Sequence, residues 1–204
     1  GPDPTPEPDT GGGDGGGCVD YYTPDAANVY QIIPEALGAS KQVVFDVQAN
    51  NDAHVGFFSA ANDNGEVYEI VIGGWGNTLS AIRECNQCAN QVQASGVYLD
   101  GSASMTFWAD AVDGLVRIGT GATPGDNTFM EWQDPAHHVA EYVGVMSGWG
   151  SDATWNMCHD GWSNSMVDGA VTPIVTETAT SEFGTTVQLS LELSATEANV
   201  YTIY

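Results

Sequence analysis

Apolar residues at every second position are the feature that most constrains how this chain folds. In the segment 42–49 the apolar side chains recur at Val43, Phe45, Val47 and Ala49. A period of two places one face of an extended strand against a core and turns the other toward solvent. No long segment shows the 3.6-residue period of an amphipathic helix. The pattern therefore predicts an all-β chain.

Clusters of Gly, Asn, Asp and Pro separate the alternating segments, as turns separate antiparallel strands. Asp113-Gly114, between two such segments, is a hairpin signal. We predict about ten strands, at 43–49, 54–59, 67–72, 105–109, 115–118, 129–132, 139–146, 153–158, 186–194 and 199–204. Many short strands with regular turns are typical of an antiparallel β-sandwich, here of jelly-roll type and stabilised by disulfides.

The first 17 residues have the composition of a linker. They are Pro-rich and acidic, with Pro2, Pro4, Pro6 and Pro8, and then Gly-rich. The proline part favours a stiff, extended chain and the glycine part a flexible one. We assign residues 18–204 to a single β-sandwich domain, with a core at 41–158 and a C-terminal strand extension at 159–204.

The charge balance excludes two classes of partner. The chain carries 27 Asp and Glu against Lys41, Arg83 and Arg117, a formal net charge of −24. Three isolated basic residues cannot supply the clustered cations that bind a nucleic-acid backbone, and an anionic membrane surface would repel the protein. No run of 18 apolar residues is present to enter a membrane.

Four cysteines indicate an oxidising, extracellular setting. Cys18, Cys85, Cys88 and Cys158 fit two disulfides in any of three connectivities. The alternatives are a zinc site, because Cys85-Asn-Gln-Cys88 has ligand spacing, or a redox-active pair at the same two residues.

The middle of the chain resembles a known domain family. The matching segments are Tyr68–Thr78, Ala81–Arg83, Phe107–Trp108, Ile118–Gly119, Phe129–Trp132, Asp134, Tyr142–Gly144 and Gly148–Gly150. They are similar to the domain named after farnesoic acid O-methyltransferase, over about 41–158. The resemblance implies a compact β-sandwich of secreted, multidomain proteins.

The residues argue against an enzyme. A methyl donor site of the dinucleotide-binding type needs a strand, a Gly-rich turn and a helix. Gly73-Gly-Trp-Gly76 follows a predicted strand, but no helical pattern comes after it. We therefore expect no catalysis and no catalytic residues. We also expect no metal or cofactor, with calcium as the alternative because Asp63-Asn-Gly-Glu66 resembles half of a calcium loop.

Two of the six tryptophans are candidates for ligand contact. Trp75 and Trp149 each lie inside a Gly-Trp-Gly, where a loop can expose the flat indole on which a sugar ring stacks. Asn77 and Arg83 could then bond sugar hydroxyls. The alternative is that both indoles close the ends of the sandwich.

Two functional interpretations follow. The first is a secreted structural subunit of a fibre, matrix or adhesive, whose partner is another copy of itself. The contacts would come from the N-terminal prolines and a terminal strand that pairs with a neighbour. The apolar residues of that strand are Val187, Leu189, Leu191 and Leu193. The alternative is an extracellular carbohydrate-binding module that recognises glycans.

Overall fold

The computed structural model describes residues 17–62 and 65–159, and the backbone of two further strands, 174–177 and 187–190. The described residues form mostly β-strands and connecting turns, among them one tight turn of largely left-handed backbone, α1 (Gly74–Asn77). Twelve strands form two antiparallel six-stranded sheets that pack on a common core. The prediction of an antiparallel β-sandwich is confirmed.

The strand order of each sheet is as follows. Sheet A runs β1 (Gly17–Thr23), β12 (Ala153–His159), β3 (Gln42–Ala49), β8 (Met105–Val112), β9 (Leu115–Thr120) and β10 (Thr128–Gln133). Sheet B runs β2 (Gln31–Ile32), β11 (Tyr142–Ser147), β4 (Ala53–Phe58), β5 (Val67–Gly73), β6 (Leu79–Arg83) and β7 (Asn90–Ala94). The sequence-based prediction omitted β1, β2, β6 and β7, which carry weaker alternation or only two residues.

The C-terminal part, residues 168–204, forms a second compact unit. Within it β13 (Ile174–Glu177) pairs antiparallel with β14 (Val187–Ser190). Strand β14 covers the first half of the predicted strand at 186–194. Its Val187 lies opposite Glu177 and its Leu189 opposite Val175. Leu191, Leu193 and the strand predicted at 199–204 lie outside the described residues.

The core confirms the period of two. In β3 the side chains of Val43, Phe45, Val47 and Ala49 are buried, and the residues between them are only partly buried. Phe45 stacks on Phe107 of the neighbouring strand β8, with ring centroids 5.7 Å apart. Because both sheets contribute apolar faces to one cluster, the interior closes without a helix layer.

The central strands of sheet B are buried on their outer face as well, which the alternation does not predict. Every residue of β4 and β5 is buried. The ring of Tyr30, from the segment before β2, lies edge-on to Phe58 at 5.1 Å and covers this face. Gly56 makes the cover possible, because a Cβ there would lie 2.6 Å from the Phe58 ring and 3.0 Å from Tyr30. The covering segment and nearby turns shape the site described below.

All four cysteines are paired. Cys18 and Cys158 face each other on β1 and β12 with Cα atoms 4.0 Å apart and form a disulfide. Cys85 pairs with Cys88 within the turn between β6 and β7, with Cα atoms 5.3 Å apart. This connectivity is one of the three left open by the sequence, and it uses the thiols that zinc would need.

Candidate functional site

Two loops meet at one end of sheet B. The turn α1 joins β5 to β6, and residues 148–152 join β11 to β12. Ala53, at the start of β4, pairs with Ile72 on one side and Ser147 on the other, so both loops leave the sheet at the same end. Each loop presents a half-exposed indole, Trp75 (48% exposed) and Trp149 (46%). Both line a cleft of about 300 Å³, here called the tryptophan cleft.

In each glycine-flanked turn the backbone of the tryptophan is left-handed. Trp75 and Trp149 each have φ 53°, a region that costs a non-glycine residue roughly 1–2 kcal/mol. Asn77 fixes the first turn, because its side-chain amide donates to the Leu99 carbonyl at 2.9 Å and accepts from the Leu99 N–H at 2.8 Å. In the second turn the Gly150 N–H donates to Asp25 at 3.1 Å.

The floor of the cleft is organised around one buried carboxylate, Glu69. Its Oε2 accepts from Arg83 Nη1 at 2.7 Å and from the Gln87 backbone N–H at 2.9 Å. Its Oε1 lies 3.0 Å from His54 Nδ1 and accepts from the Tyr30 hydroxyl at 3.0 Å. The Glu69 side chain is 0% exposed, so all of its charge is compensated inside the protein.

Two of the partners of Glu69, His54 and Arg83, each lie against one of the two indoles. The His54 ring stacks on Trp149 with centroids 5.1 Å apart and planes 17° apart. The Arg83 guanidinium carbon lies 5.3 Å from the centre of the Trp75 ring, within cation–π range. One side of each indole is thus held by a group bonded to Glu69, and the half-exposed remainder is open to a ligand. Glu69 therefore positions both indoles without touching either.

Burial and hydrogen bonding shift the pKa of two groups here in opposite directions. Burial by itself would raise the pKa of Glu69, but the bonds and charge from His54, Arg83 and the Gln87 amide outweigh it and lower the pKa to about 2. Burial would lower the pKa of His54, yet the carboxylates of Asp52 and Glu69 on its two sides raise it. The site favours an ionised Glu69 and a protonated His54.

One polar atom on the cleft floor is left unpaired. His54 Nε2 is buried and has no hydrogen-bond partner in the described structure. Asp52 Oδ1 lies 3.8 Å from it, too far for a hydrogen bond. Both residues line the tryptophan cleft.

The sequence-predicted candidates are partly brought together. Trp75, Arg83 and Trp149 line the same cleft, although Trp75 and Trp149 are 74 positions apart in the sequence. Asn77 does not line it, because both ends of its amide bond the Leu99 backbone. Sequence reasoning missed Asp52, His54, Glu69 and Gln87. The available signal was a titratable residue inside an otherwise apolar strand, as His54 is in β4 and Glu69 in β5.

The other candidates lie elsewhere. Pro2, Pro4, Pro6 and Pro8 fall outside the described residues, as does Asp63 of the half calcium loop. His138 stacks on the buried Tyr68 with ring centroids 3.9 Å apart. Over 17–62 and 65–159 no group of three or more His, Cys, Asp or Glu is placed to hold a metal ion. Within the same part of the chain no helix is long and apolar enough to cross a membrane.

The fold and cleft define a disulfide-linked β-sandwich domain with a cleft lined by two half-exposed tryptophans. Comparison with known families then matches residues 23–160 to the model described as farnesoic acid O-methyltransferase. The chain belongs to this family, which confirms the resemblance inferred from its motifs.

Two relatives share about half of the chain. A BTB/POZ domain-containing protein of Arabidopsis thaliana is 30% identical over 114 residues, covering 52% of this chain and 14% of that protein. Uncharacterized protein 5 of Haliotis asinina is 31% identical over 117 residues, covering 57% of this chain and 66% of that protein. The matches thus span less than two thirds of either relative.

Solved structures that align with part of the chain include a native glycosidic hydrolase and the VIP36 exoplasmic/lumenal domain in its Ca²⁺/Man-bound form. The hydrolase aligns with a TM-score of 0.48 at 7% identity, over 71% of this chain and 78% of its own. The VIP36 domain aligns with a TM-score of 0.41 at 7% identity, over 68% of this chain and 82% of its own.

Proposed function

We propose that this domain is a non-catalytic module that binds a carbohydrate in the tryptophan cleft. The observation that supports the proposal is the convergence of two half-exposed indoles on one cleft with a polar floor. A sugar ring has an apolar C–H face that suits an indole and hydroxyls that need hydrogen-bond partners. The cleft offers both kinds of contact at one place.

The size and charge of the cleft favour a small neutral ligand. About 300 Å³ is the lower end of the range for small-molecule sites. The basic residues Lys41, Arg83 and Arg117 are ion-paired with Glu141, Glu69 and Asp110 respectively. With a formal net charge of −24 and all three Lys and Arg side chains ion-paired, the chain has no free Lys or Arg to attract a strongly anionic polysaccharide.

A binding role fits the local backbone better than methyl transfer does. The glycines that follow β5 form the short turn α1, which leads directly into β6. A nucleotide-type site would need a long helix at this point, with its N-terminus aimed at the ligand. An extracellular or lumenal location accompanies the proposal, because the Cys18–Cys158 disulfide needs an oxidising compartment. The first interpretation of the sequence, a structural subunit that assembles into fibres, depends on the tail prolines and the C-terminal strand and stays a prediction.

The proposal is tested by glycan-array binding of the full chain, followed by titration of the strongest ligand. Trp75→Ala and Trp149→Ala should each weaken binding by about ten-fold or more, the effect of losing one aromatic platform worth 1–2 kcal/mol. Tyr98→Ala is the matched control, because Tyr98 is equally exposed and does not line the cleft. An array without binding above background, or alanine variants that bind like the wild type, would refute the proposal.

A further inference from the structure

The unpaired nitrogen on the cleft floor has a defined hydrogen-bonding requirement. Nδ1 of His54 faces the Oε1 of Glu69 at 3.0 Å, and an ionised carboxylate can only accept, so Nδ1 carries a proton. When the ring is protonated, Nε2 carries a proton as well and needs an acceptor. A buried donor without a hydrogen-bond partner destabilises the site, because it loses its bonds to water and gains none in return.

The carboxylate of Asp52, which lies near His54 Nε2 but beyond hydrogen-bond distance, needs a donor where Nε2 needs an acceptor. Its Oδ1, 3.8 Å from His54 Nε2, is a carboxylate oxygen and can only accept. A group that accepts from Nε2–H and donates to Oδ1 would satisfy both atoms at once. A hydroxyl is such a group, whereas an ether, a carboxylate or an ammonium can do only one of the two.

We propose that His54 and Asp52 form a subsite for one free hydroxyl of the bound sugar, so that the cleft selects neutral sugars in which that hydroxyl is neither missing nor substituted. The inference rests on the proposed function and names the part of the cleft that sets its specificity. Asp52 disfavours an anionic substituent at this point, and protonated His54 with Arg83 disfavours a cationic one. The two indoles would supply affinity, and this pair would supply selection.

The same geometry makes binding depend on pH. The charged and titratable groups around His54 are Glu69 from β5, Asp52 from the turn before β4, and Arg83 and Tyr30, which bond Glu69. If His54 loses its proton from Nε2, that nitrogen becomes an acceptor, as Asp52 Oδ1 already is. One hydroxyl can then donate to only one of the two atoms. The carboxylates of Asp52 and Glu69 raise the pKa of His54, so Nε2 keeps its proton to a higher pH than in an ordinary histidine. One hydroxyl can bond both His54 and Asp52 as long as that proton is present. Affinity should therefore be high below that pKa and fall as pH rises through it.

The test uses small sugars as probes of the full chain. Methyl glycosides of glucose, galactose and mannose are titrated while the indole N–H resonances are followed by NMR, and monodeoxy and mono-O-methyl forms of the binder are then compared. One deoxy form and its O-methyl counterpart should bind about ten-fold or more weakly, as expected for a hydrogen bond to charged groups. Binding of the parent sugar should weaken as pH rises above 6.5, the ordinary pKa of histidine, because the pKa of His54 is raised from that value.

Asp52→Asn tests the subsite on the protein side and should also bind about ten-fold more weakly. Asp113→Asn is the matched control, because both residues have left-handed backbones, with φ 45° for Asp52 and 49° for Asp113, and Asp113 does not line the cleft. It should bind like the wild type.

The outcomes separate the subsite from the function it rests on. If a sugar binds in a Trp75- and Trp149-dependent way but all deoxy forms bind equally and affinity is flat with pH, the hydroxyl subsite is wrong and carbohydrate binding stands. If no methyl glycoside binds to millimolar concentration and the glycan array is also blank, both are wrong.

Discussion

Replacing Glu69 with glutamine should show how strongly one buried carboxylate stabilises this fold. Five donors converge on its two oxygens, from Tyr30, His54, Arg83 and both the backbone and the side chain of Gln87. Glutamine keeps the shape but offers only one oxygen, and its amide N–H groups would face other donors. It also leaves Arg83, and His54 when that ring is protonated, without the counter-charge of Glu69 in a buried site.

The magnitude follows from the pKa of Glu69. The folded protein lowers it from the ordinary 4.5 to about 2, and each pH unit corresponds to about 1.4 kcal/mol, so the ionised form contributes roughly 3 kcal/mol. Because the Glu69 side chain is 0% exposed, solvent does not screen this contribution. The pKa is lower in the folded state, so the stabilisation is present above pH 4.5 and is lost as pH falls toward 2.

Urea unfolding followed by circular dichroism measures the effect. At about pH 6, Glu69→Gln should unfold with about 3 kcal/mol less free energy than the wild type, and the difference should shrink as pH falls below 4.5. Glu141→Gln is the control, because Glu141 pairs with Lys41 at 3.2 Å with its side chain 43% exposed, and it should change stability by less than about 1 kcal/mol. A difference below about 1 kcal/mol for Glu69→Gln, or one unchanged at acidic pH, would refute the reasoning.

Two further predictions concern the scaffold. Replacing both Cys18 and Cys158 with serine should lower the free energy of unfolding by about 2–5 kcal/mol, because their disulfide closes a loop with a sequence separation of 140. If the wild type unfolds at the same midpoint with and without reductant, this prediction is wrong. Asn77→Ala should lower it by about 2–3 kcal/mol through two lost bonds to Leu99 and a left-handed φ of 62°. Asn77→Gly should lose less, since glycine adopts that φ freely, and equal losses in both variants would show that the backbone conformation does not matter.

The local features of the chain could be read from the sequence. The period of two located most strands and the buried face of β3, because a strand's side chains alternate whatever its neighbours are. Glycines on both sides of Trp75 and Trp149 indicated tight turns with accessible indoles, since local backbone freedom is a property of those residues. The cysteine count indicated an oxidising compartment, and the net charge of −24 argued against nucleic-acid and membrane-surface partners.

The arrangement of the cleft depended on strand register, which short-range patterns do not fix. Glu69 lies opposite Arg83 only because β5 and β6 pair in this register, and His54 reaches Glu69 from β4 on the other side. Asn77 illustrates the same limit: its sequence position beside Trp75 indicated ligand contact, but the approach of Leu99 turned its amide to the backbone. The sequence by itself determined strands, turns and exposed indoles because these follow from neighbouring residues. Only the tertiary structure decided that a buried carboxylate, two cations and two indoles form one site, because contacts between residues far apart in the chain depend on how the sheets pair and pack.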